Sequence, residues 1–192
     1  MFGWLEGTPR PSMIGNLMEE FRRRSFHPMN KLLFVRQMSA KLRSAQKVAT
    51  RTSAEAAVES RNGATSKEKT EDSRVSLENA GLARGQKRRA AQVAAELKQL
   101  ETFLPVEFGA GASIGLGAMV EIEDEDSGVG RTFFLAPVGA GMEVTMPGGD
   151  GFLSVVTLAS PVGRACYNRK VGDSIEVTVK GETRYWEITW VE

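Results

Sequence analysis

Apolar residues recur every three or four positions along two long stretches of the first half of the chain. This spacing lines one face of a helix, and the first stretch contains no Gly or Pro until Gly63. Its apolar face comprises Val35, Met38, Leu42, Ala45, Ala49, Thr52 and Ala56. The second stretch begins near Ser73, and its face comprises Ala83, Gln86, Ala90, Val93, Leu97, Leu100 and Leu104. Each predicted helix has one apolar stripe, so we expect an antiparallel coiled-coil hairpin over residues 30–102.

The predicted hairpin reverses direction in a polar segment, residues 62–72. Asn62 and Gly63 are suited to end the first helix. Roughly thirty helical residues make an arm of about 45 Å, which is longer than a compact domain of this size needs. The carboxylates of Glu68, Glu71 and Asp72 lie in this segment among lysines. Their position favours capping of the second helix, where negative charge stabilises the N-terminus.

Beyond residue 117 the apolar period falls to two, which predicts β-strands separated by Gly, Asp and Pro turns. The predicted strands are Ala118–Asp124, Arg131–Pro137, Phe152–Leu158, Ser174–Val179 and Arg184–Val191. Ser160 and Pro161 are suited to begin a short helix between the third and fourth strands. The expected fold class is therefore α+β: the hairpin, a Gly-rich hinge or linker at residues 103–117, and a small antiparallel β domain with one short helix at residues 118–192.

Composition is that of a globular protein, with 41% apolar and 26% charged residues among 192. The only cysteine, Cys166, favours a reducing compartment. The sequence contains no long apolar run and no secretory signal pattern, so we expect a cytoplasmic protein without membrane contact. Residues 1–29 form an extension of uncertain role, and Met29 is an alternative native start.

The two halves of the chain differ in charge. Residues 31–102 contain fifteen Lys and Arg against eight Asp and Glu, a net of +7, whereas residues 103–192 contain six against thirteen, a net of −7. The basic half is suited to nucleic acid or another anionic surface. Attraction between the two halves is the alternative explanation.

A short C-terminal motif consists of Ser160, Pro161, Val162, Gly163, Arg164 and Ala165, followed by Lys170, Val171, Gly172 and Asp173. This motif resembles the signature of the Gre transcript-cleavage factors. The order of the parts is similar too, and residues 82–97 look like the second helix of Gre-related proteins. The resemblance covers about residues 30–192, and it implies that the C-terminal domain has an FK506-binding-protein-like (FKBP-like) fold.

The resemblance implies a monomer that binds bacterial RNA polymerase and inserts its coiled coil through the secondary channel. Gre factors have no cofactor of their own and are not enzymes; their acidic tip stimulates the polymerase's hydrolysis of backtracked RNA beside the catalytic Mg²⁺. A second Mg²⁺ prefers carboxylate oxygens, and a neighbouring carboxylate can orient the attacking water. The candidates for these roles are Glu68, Glu71 and Asp72, with Glu71 and Asp72 as the ligands of the shared Mg²⁺. A direct overlay of the family tip on residues 75–80 instead selects Glu78 and places Val75 at the aspartate position.

The resemblance also indicates basic contacts to the nascent RNA 3′ end or to the channel walls. The candidates are Arg74, Arg84, Lys87, Arg88 and Arg89, for which an ordinary solvated helix face is the alternative. The motif residues Ser160, Pro161, Gly163, Arg164, Lys170, Gly172 and Asp173 are assigned by analogy to the polymerase-docking domain. Other functions remain open: a polymerase-channel regulator that does not stimulate cleavage, a DNA- or RNA-binding module acting through the basic hairpin, and a prolyl isomerase. The last is disfavoured because the short strands predict no aromatic-lined proline pocket.

Overall fold

The computed structural model describes residues 30–62, 71–109, 111–146 and 151–192. These residues divide into two compact units. The helical unit contains Leu32–Leu104 together with Pro137–Gly139, and the β unit contains Lys31, Pro105–Ala136 and Ala140–Glu192. The expected α+β class is confirmed.

The helical unit is built from two long helices that pack on each other, α1 (Leu32–Asn62) and α2 (Glu71–Thr102). The first helix ends at Asn62, as the Asn-Gly pair predicts, and the second begins at Glu71, within two residues of the start that the sequence indicates near Ser73. Much of the predicted stripe is buried: Val35, Met38, Leu42, Ala49, Val93, Leu97 and Leu100.

Among the described side chains of the predicted stripe, those of Ala45, Thr52 and Leu104 are exposed instead, whereas those of Ala56 and Ala83 lie outside the described residues. Gln46 and Ser53 are half-buried beside Ala45 and Thr52. An α-helix drifts by about 20° per heptad from a strict 3.5-residue repeat, so the contact line moves one residue along the chain. Leu104 is 76% exposed because α2 ends at Thr102, before the repeat reaches it.

The β unit contains a six-stranded sheet in the order β3-β4-β2-β1-β6-β5. Its elements are β1 (Met119–Asp124), β2 (Gly130–Leu135), β3 (Glu143–Thr145), β4 (Phe152–Val156), helix α3 (Pro161–Cys166), β5 (Ser174–Val179) and β6 (Glu182–Val191). The sheet is mixed rather than wholly antiparallel, because β2 and β4 pair in parallel. The connection between them exceeds a dozen residues, which is the length that a parallel crossover requires. Part of it forms the short β3, which returns antiparallel to β4.

The core of the β unit lies on the sheet face that carries α3. It includes Ile122, Phe133, Trp186 and Ile188, with Cys166 from the helix. Burial raises the pKa of the Cys166 thiol to about 12, so this side chain behaves as a small apolar residue.

The segment predicted as a hinge packs on this core. Ile114 is fully buried, its N–H donates to the carbonyl of Arg169 at 2.8 Å, and its carbonyl accepts from Asn168 at 2.9 Å. Gly117 adopts a φ of +95°, and a Cβ there would lie 3.0 Å from the Cα of Pro105. The linker residues from Pro105 onward therefore belong to the β unit, where Ile114 buries an apolar side chain and pairs its backbone.

Candidate functional site

Helix α3 and the turn after it contain the predicted docking motif. Ser160 is the N-cap: its Oγ accepts from the N–H of Gly163 at 3.0 Å and donates to the carbonyl of Thr157 at 2.9 Å. Pro161 occupies the first helical turn, where the N–H that it lacks would have no helical partner. Ser160 thus ties the helix start to the end of β4.

Gly163 faces the backbone of the preceding turn. A Cβ at this position would stand 2.2 Å from the carbonyl oxygen of Thr157 and 2.8 Å from its carbon. Those are backbone atoms, which cannot rotate away as a side-chain end can. Glycine is therefore required here by the close approach of α3 to the chain after β4.

The second part of the motif is a tight turn. The N–H of Lys170 donates to Oδ2 of Asp173 at 2.8 Å, and the N–H of Asp173 donates to the carbonyl of Lys170 at 3.1 Å. Gly172 has a φ of +87°, which a four-residue turn of this kind needs at its third position. Backbone bonds from Gly172 and Asp173 to Ile188 fix the turn on β6.

The motif therefore divides into structural and accessible residues. Ser160, Gly163 and Asp173 are half-buried or buried and hold the backbone, whereas Pro161, Arg164, Lys170 and Gly172 are exposed. Only the second group has the accessibility that a docking contact needs. The sequence signature grouped the two because it records spacing and not exposure.

The predicted basic contacts lie on α2. Arg84, Lys87, Arg88 and Arg89 are all exposed. Residues 84, 87 and 88 are three or four positions apart and so share one side of the helix, whereas Arg89 is turned away from them. Arg74 is also a residue of α2, but only its backbone is described and its side chain is not.

The predicted acidic tip is described only in part. Glu71 and Asp72 are the first two residues of α2, which is the position that favours negative charge. Their side chains, that of Glu78 and the whole of Glu68 lie outside the described residues. Among the described side chains, no group of three or more His, Cys, Asp or Glu is arranged to hold a metal ion. No described helix combines the length and apolarity needed to cross a membrane.

An apolar cavity of about 450 Å³ lies in the β unit, contrary to the expectation of no aromatic-lined pocket. Phe133, Phe152 and Trp186 contribute its aromatic lining, and Val162 of α3 contributes to it as well. Phe133 and Trp186 are also buried members of the core of the β unit. Whether these two side chains also line a cavity depends on how the parallel β2–β4 pair lies relative to α3. No local sequence pattern contains that information.

Two charged side chains in the β unit have shifted pKa values. Burial lowers the pKa of the Lys31 ammonium, and the carboxylates of Glu192 and Glu107 oppose that shift. The hydroxyl and then the backbone N–H of Ser127 lower the pKa of Asp124, and burial opposes this. Asp124 accepts from these two groups at 2.7 and 2.8 Å, and it also lies 3.7 Å from Arg184. Both residues serve local structure.

Comparison with known proteins associates the β unit with one family. Residues 110–192 match the family model described as "Transcription elongation factor, GreA/GreB, C-term". The transcription elongation factor GreA of Rhodospirillum rubrum is 38% identical over 81 residues, which make up 42% of this chain and 46% of that protein. The GreA of Polaromonas naphthalenivorans is 29% identical over 103 residues, or 54% of this chain and 60% of that protein. The chain thus spans about half the length of the curated relatives it matches.

Among solved structures, GreA factor homolog 1 of Thermus thermophilus is 22% identical. The match covers 82% of this chain and 92% of that one, with a TM-score of 0.33.

Proposed function

We propose that this chain binds bacterial RNA polymerase at its secondary channel, because residues 110–192 match the family model of the C-terminal part of GreA/GreB transcription elongation factors. The Gre resemblance predicted from the motif is confirmed for these residues. The observation that carries the proposal is the coupling, in one chain, of this domain with a hairpin of helices of 31 and 32 residues. Each helix is about 45 Å long, enough to extend into a deep channel.

Docking is assigned to the exposed part of the motif. Pro161, Arg164 and Lys170 present one apolar ring and two cations on a backbone that Ser160, Gly163 and Asp173 hold. A preorganised backbone reduces the entropy that binding costs. The partner surface expected from these groups is acidic, and the chain acts on it as a monomer.

The hairpin brings acidic residues to the polymerase active site. Glu71 and Asp72 are the first two residues of α2, and Glu68 precedes Glu71 by three positions in the sequence. In the complex, Glu71 and Asp72 share a Mg²⁺ with the polymerase, and Glu68 orients the water that cleaves backtracked RNA. The chain supplies ligands in trans and catalyses nothing by itself.

A regulator that does not stimulate cleavage is the second candidate. Val75 stands where a direct overlay of the family tip requires an aspartate, and this favours occupancy of the channel without hydrolysis. A third candidate is a nucleic-acid-binding module, favoured by the exposed Lys87, Arg88 and Arg89. That module would bind RNA or DNA without polymerase, and its affinity would fall steeply with salt.

The test uses a backtracked elongation complex with 3′-labelled RNA and Mg²⁺. The wild-type chain is compared with the Glu68→Ala/Glu71→Ala/Asp72→Ala variant and with the Arg164→Glu/Lys170→Glu variant. We expect short 3′ fragments with wild type alone, bound polymerase with the tip variant, and loss of binding with the docking variant. Binding without cleavage by wild type would establish the regulator. Binding to free RNA but not to polymerase would reject channel binding altogether.

A further inference from the structure

The cavity in the β unit has an unusual mouth. Phe152 lines it, and its side chain is 73% exposed to solvent, although an aromatic ring contributes most to stability when it is buried. Beside it, the guanidinium of Arg131 lies 5.3 Å from the ring centroid of Trp186, which also lines the cavity. The site therefore combines an apolar interior with an exposed aromatic and a cation at its edge.

These features define the group that the cavity fits. A volume of about 450 Å³ is within the range of ligand pockets and is large enough for an indole ring. The exposed Arg131 is complementary to a carboxylate. The expected occupant is thus a peptide with a large aromatic side chain and an acidic residue nearby.

The chain itself contains such a peptide before its first described residue. Residues 2–6 read Phe-Gly-Trp-Leu-Glu, with Trp4 two positions before Glu6. In an extended peptide, residues two apart point to the same side about 7 Å from each other. In an extended conformation, such a segment would place an indole and a carboxylate on one face, at a spacing that suits the cavity and Arg131.

The segment also joins the chain close to the cavity's own core. Residues 1–29 lead into Lys31, whose Nζ donates to the carbonyl of Val106 at 3.0 Å and lies 5.1 Å from the ring centroid of Phe108. Phe108 packs against the cluster that contains Phe133 and Trp186. A chain of about 25 residues spans up to about 80 Å when it is fully extended. A domain of about 80 residues has a radius of gyration of about 12 Å, so residues 2–6 reach any point on it.

We propose that residues 2–6 dock in this cavity, with the indole of Trp4 inside it and the carboxylate of Glu6 paired with Arg131. The contact is intramolecular and covers an apolar surface of the β unit. It goes beyond the function proposed above and does not depend on it, because it needs no polymerase.

The test measures amide chemical shifts in the full chain by NMR. Trp4→Ala is expected to shift the amides of residues 130–133 and 152–154 by the same amount at any protein concentration. Phe21→Ala, which removes another aromatic ring from the extension, is the matched control and should leave those amides unchanged. Glu6→Arg should shift the amide of Arg131, and Glu6→Arg/Arg131→Glu should restore the wild-type shifts at residues 152–154.

A competition experiment completes the test. A synthetic peptide of residues 1–8 should bind the Trp4→Ala chain at least tenfold more tightly than it binds wild type, where the internal segment competes. A peptide with alanine in place of the tryptophan should bind neither chain. Equal affinity for both chains, unchanged amides in Trp4→Ala, or shifts that depend on concentration would overturn the proposal. The last result would assign the cavity to a second copy of the chain.

Discussion

The carbonyl oxygen of Thr157 lies beside Gly163, 2.2 Å from where a Cβ on that residue would stand. The N–H of Gly163 meanwhile donates to the N-cap hydroxyl of Ser160. Gly163 therefore holds α3 against the chain after β4 in two ways. Its lack of a side chain permits the close approach to Thr157, and its amide caps the helix through Ser160. The docking motif owes its shape to this contact.

Gly163→Ala is therefore expected to lower the free energy of unfolding of the β unit by about 1–3 kcal/mol, as overpacking against atoms that cannot rotate away does. Urea unfolding followed by Trp fluorescence reports on this unit, which contains Trp186 and Trp190. The same substitution should weaken polymerase binding, because α3 must shift. Unchanged stability would mean that the backbone after β4 moves freely, contrary to the packing described.

Gly85→Ala should have the opposite effect. Gly85 is a helical residue of α2, and no atom lies within 4 Å of a Cβ built on it. Alanine in an open helical position stabilises by about 0.5–1 kcal/mol relative to glycine. Thermal unfolding followed by helical circular dichroism measures this gain, with Gly163→Ala as the contrasting glycine. A loss of helical stability would show that the position is crowded.

Thr132→Val is expected to stabilise the β unit. The Oγ1 of Thr132 is buried, and among the described residues it has no hydrogen-bond partner. A buried hydroxyl without a partner costs about 1–3 kcal/mol, and valine replaces it with a methyl group of similar size. Thr189→Val is the control, since its hydroxyl donates to the carbonyl of Glu121 at 3.3 Å and should not give the same gain. Equal effects of the two substitutions would indicate that a bound water satisfies Thr132.

Asp124 should make the β unit sensitive to acid. Ser127 and Arg184 lower the pKa of this carboxyl below its ordinary value of 3.8. The ionised form therefore stabilises the fold fully above pH 3.8, and this contribution disappears as the pH falls through the lower folded-state pKa. Unfolding free energies measured from pH 6 down to pH 2 should decline more steeply for wild type than for Asp124→Asn.

Ser127→Ala provides the companion measurement. It removes the largest cause of the shift, so the carboxyl should titrate closer to pH 3.8 and the total loss of stability on acidification should shrink. Parallel profiles for wild type, Asp124→Asn and Ser127→Ala would contradict the role assigned to this hydrogen bond.

The basic residues of α2 should contribute to binding of the elongation complex through charge. Each phosphate contact on single-stranded RNA contributes about 0.7 to the slope of log affinity against log salt. Arg84→Ala/Lys87→Ala/Arg88→Ala should reduce that slope by up to about 2 if these three residues, which share one side of α2, contact RNA. Lys98→Ala, an exposed residue toward the C-terminal end of the same helix, is the control and should leave it unchanged. An unaltered slope in the triple variant would show that these residues do not contact RNA and only form a solvated helix face.

Local sequence patterns predicted the helices and strands well, because the formation of each element depends mainly on residues that are neighbours in sequence. The stripe through Met38 and Leu42 predicted α1, and Ser160 with Pro161 predicted the start of α3. Alternation predicted every strand except β3, whose three residues are too few to show a period. The heptad repeat predicted burial wrongly at Ala45 and Thr52, because the angular drift of the helix from a 3.5-residue repeat accumulates along its length.

The candidate site divides in the same way. The spacing of residues 160–173 indicated the family, but which members face solvent depends on contacts to Thr157, just after β4, and to Ile188 on β6, which is distant in sequence. The roles of Glu68, Glu71 and Asp72 stay predictions, since they depend on a partner. The cavity was missed because its walls come from strands that are not consecutive.

The sequence by itself determined the α+β class, the two-helix hairpin, the strand periods and the Gre-type motif, because short-range sterics, capping and amphipathic spacing are local properties. Tertiary structure alone decided the parallel pairing of β2 with β4, the packing of Ile114 into the sheet core and the cavity at Phe152. Those features arise when segments that are distant in sequence bury their apolar surfaces against each other. Which segments do so is decided by the packing of the whole fold and not by any local pattern.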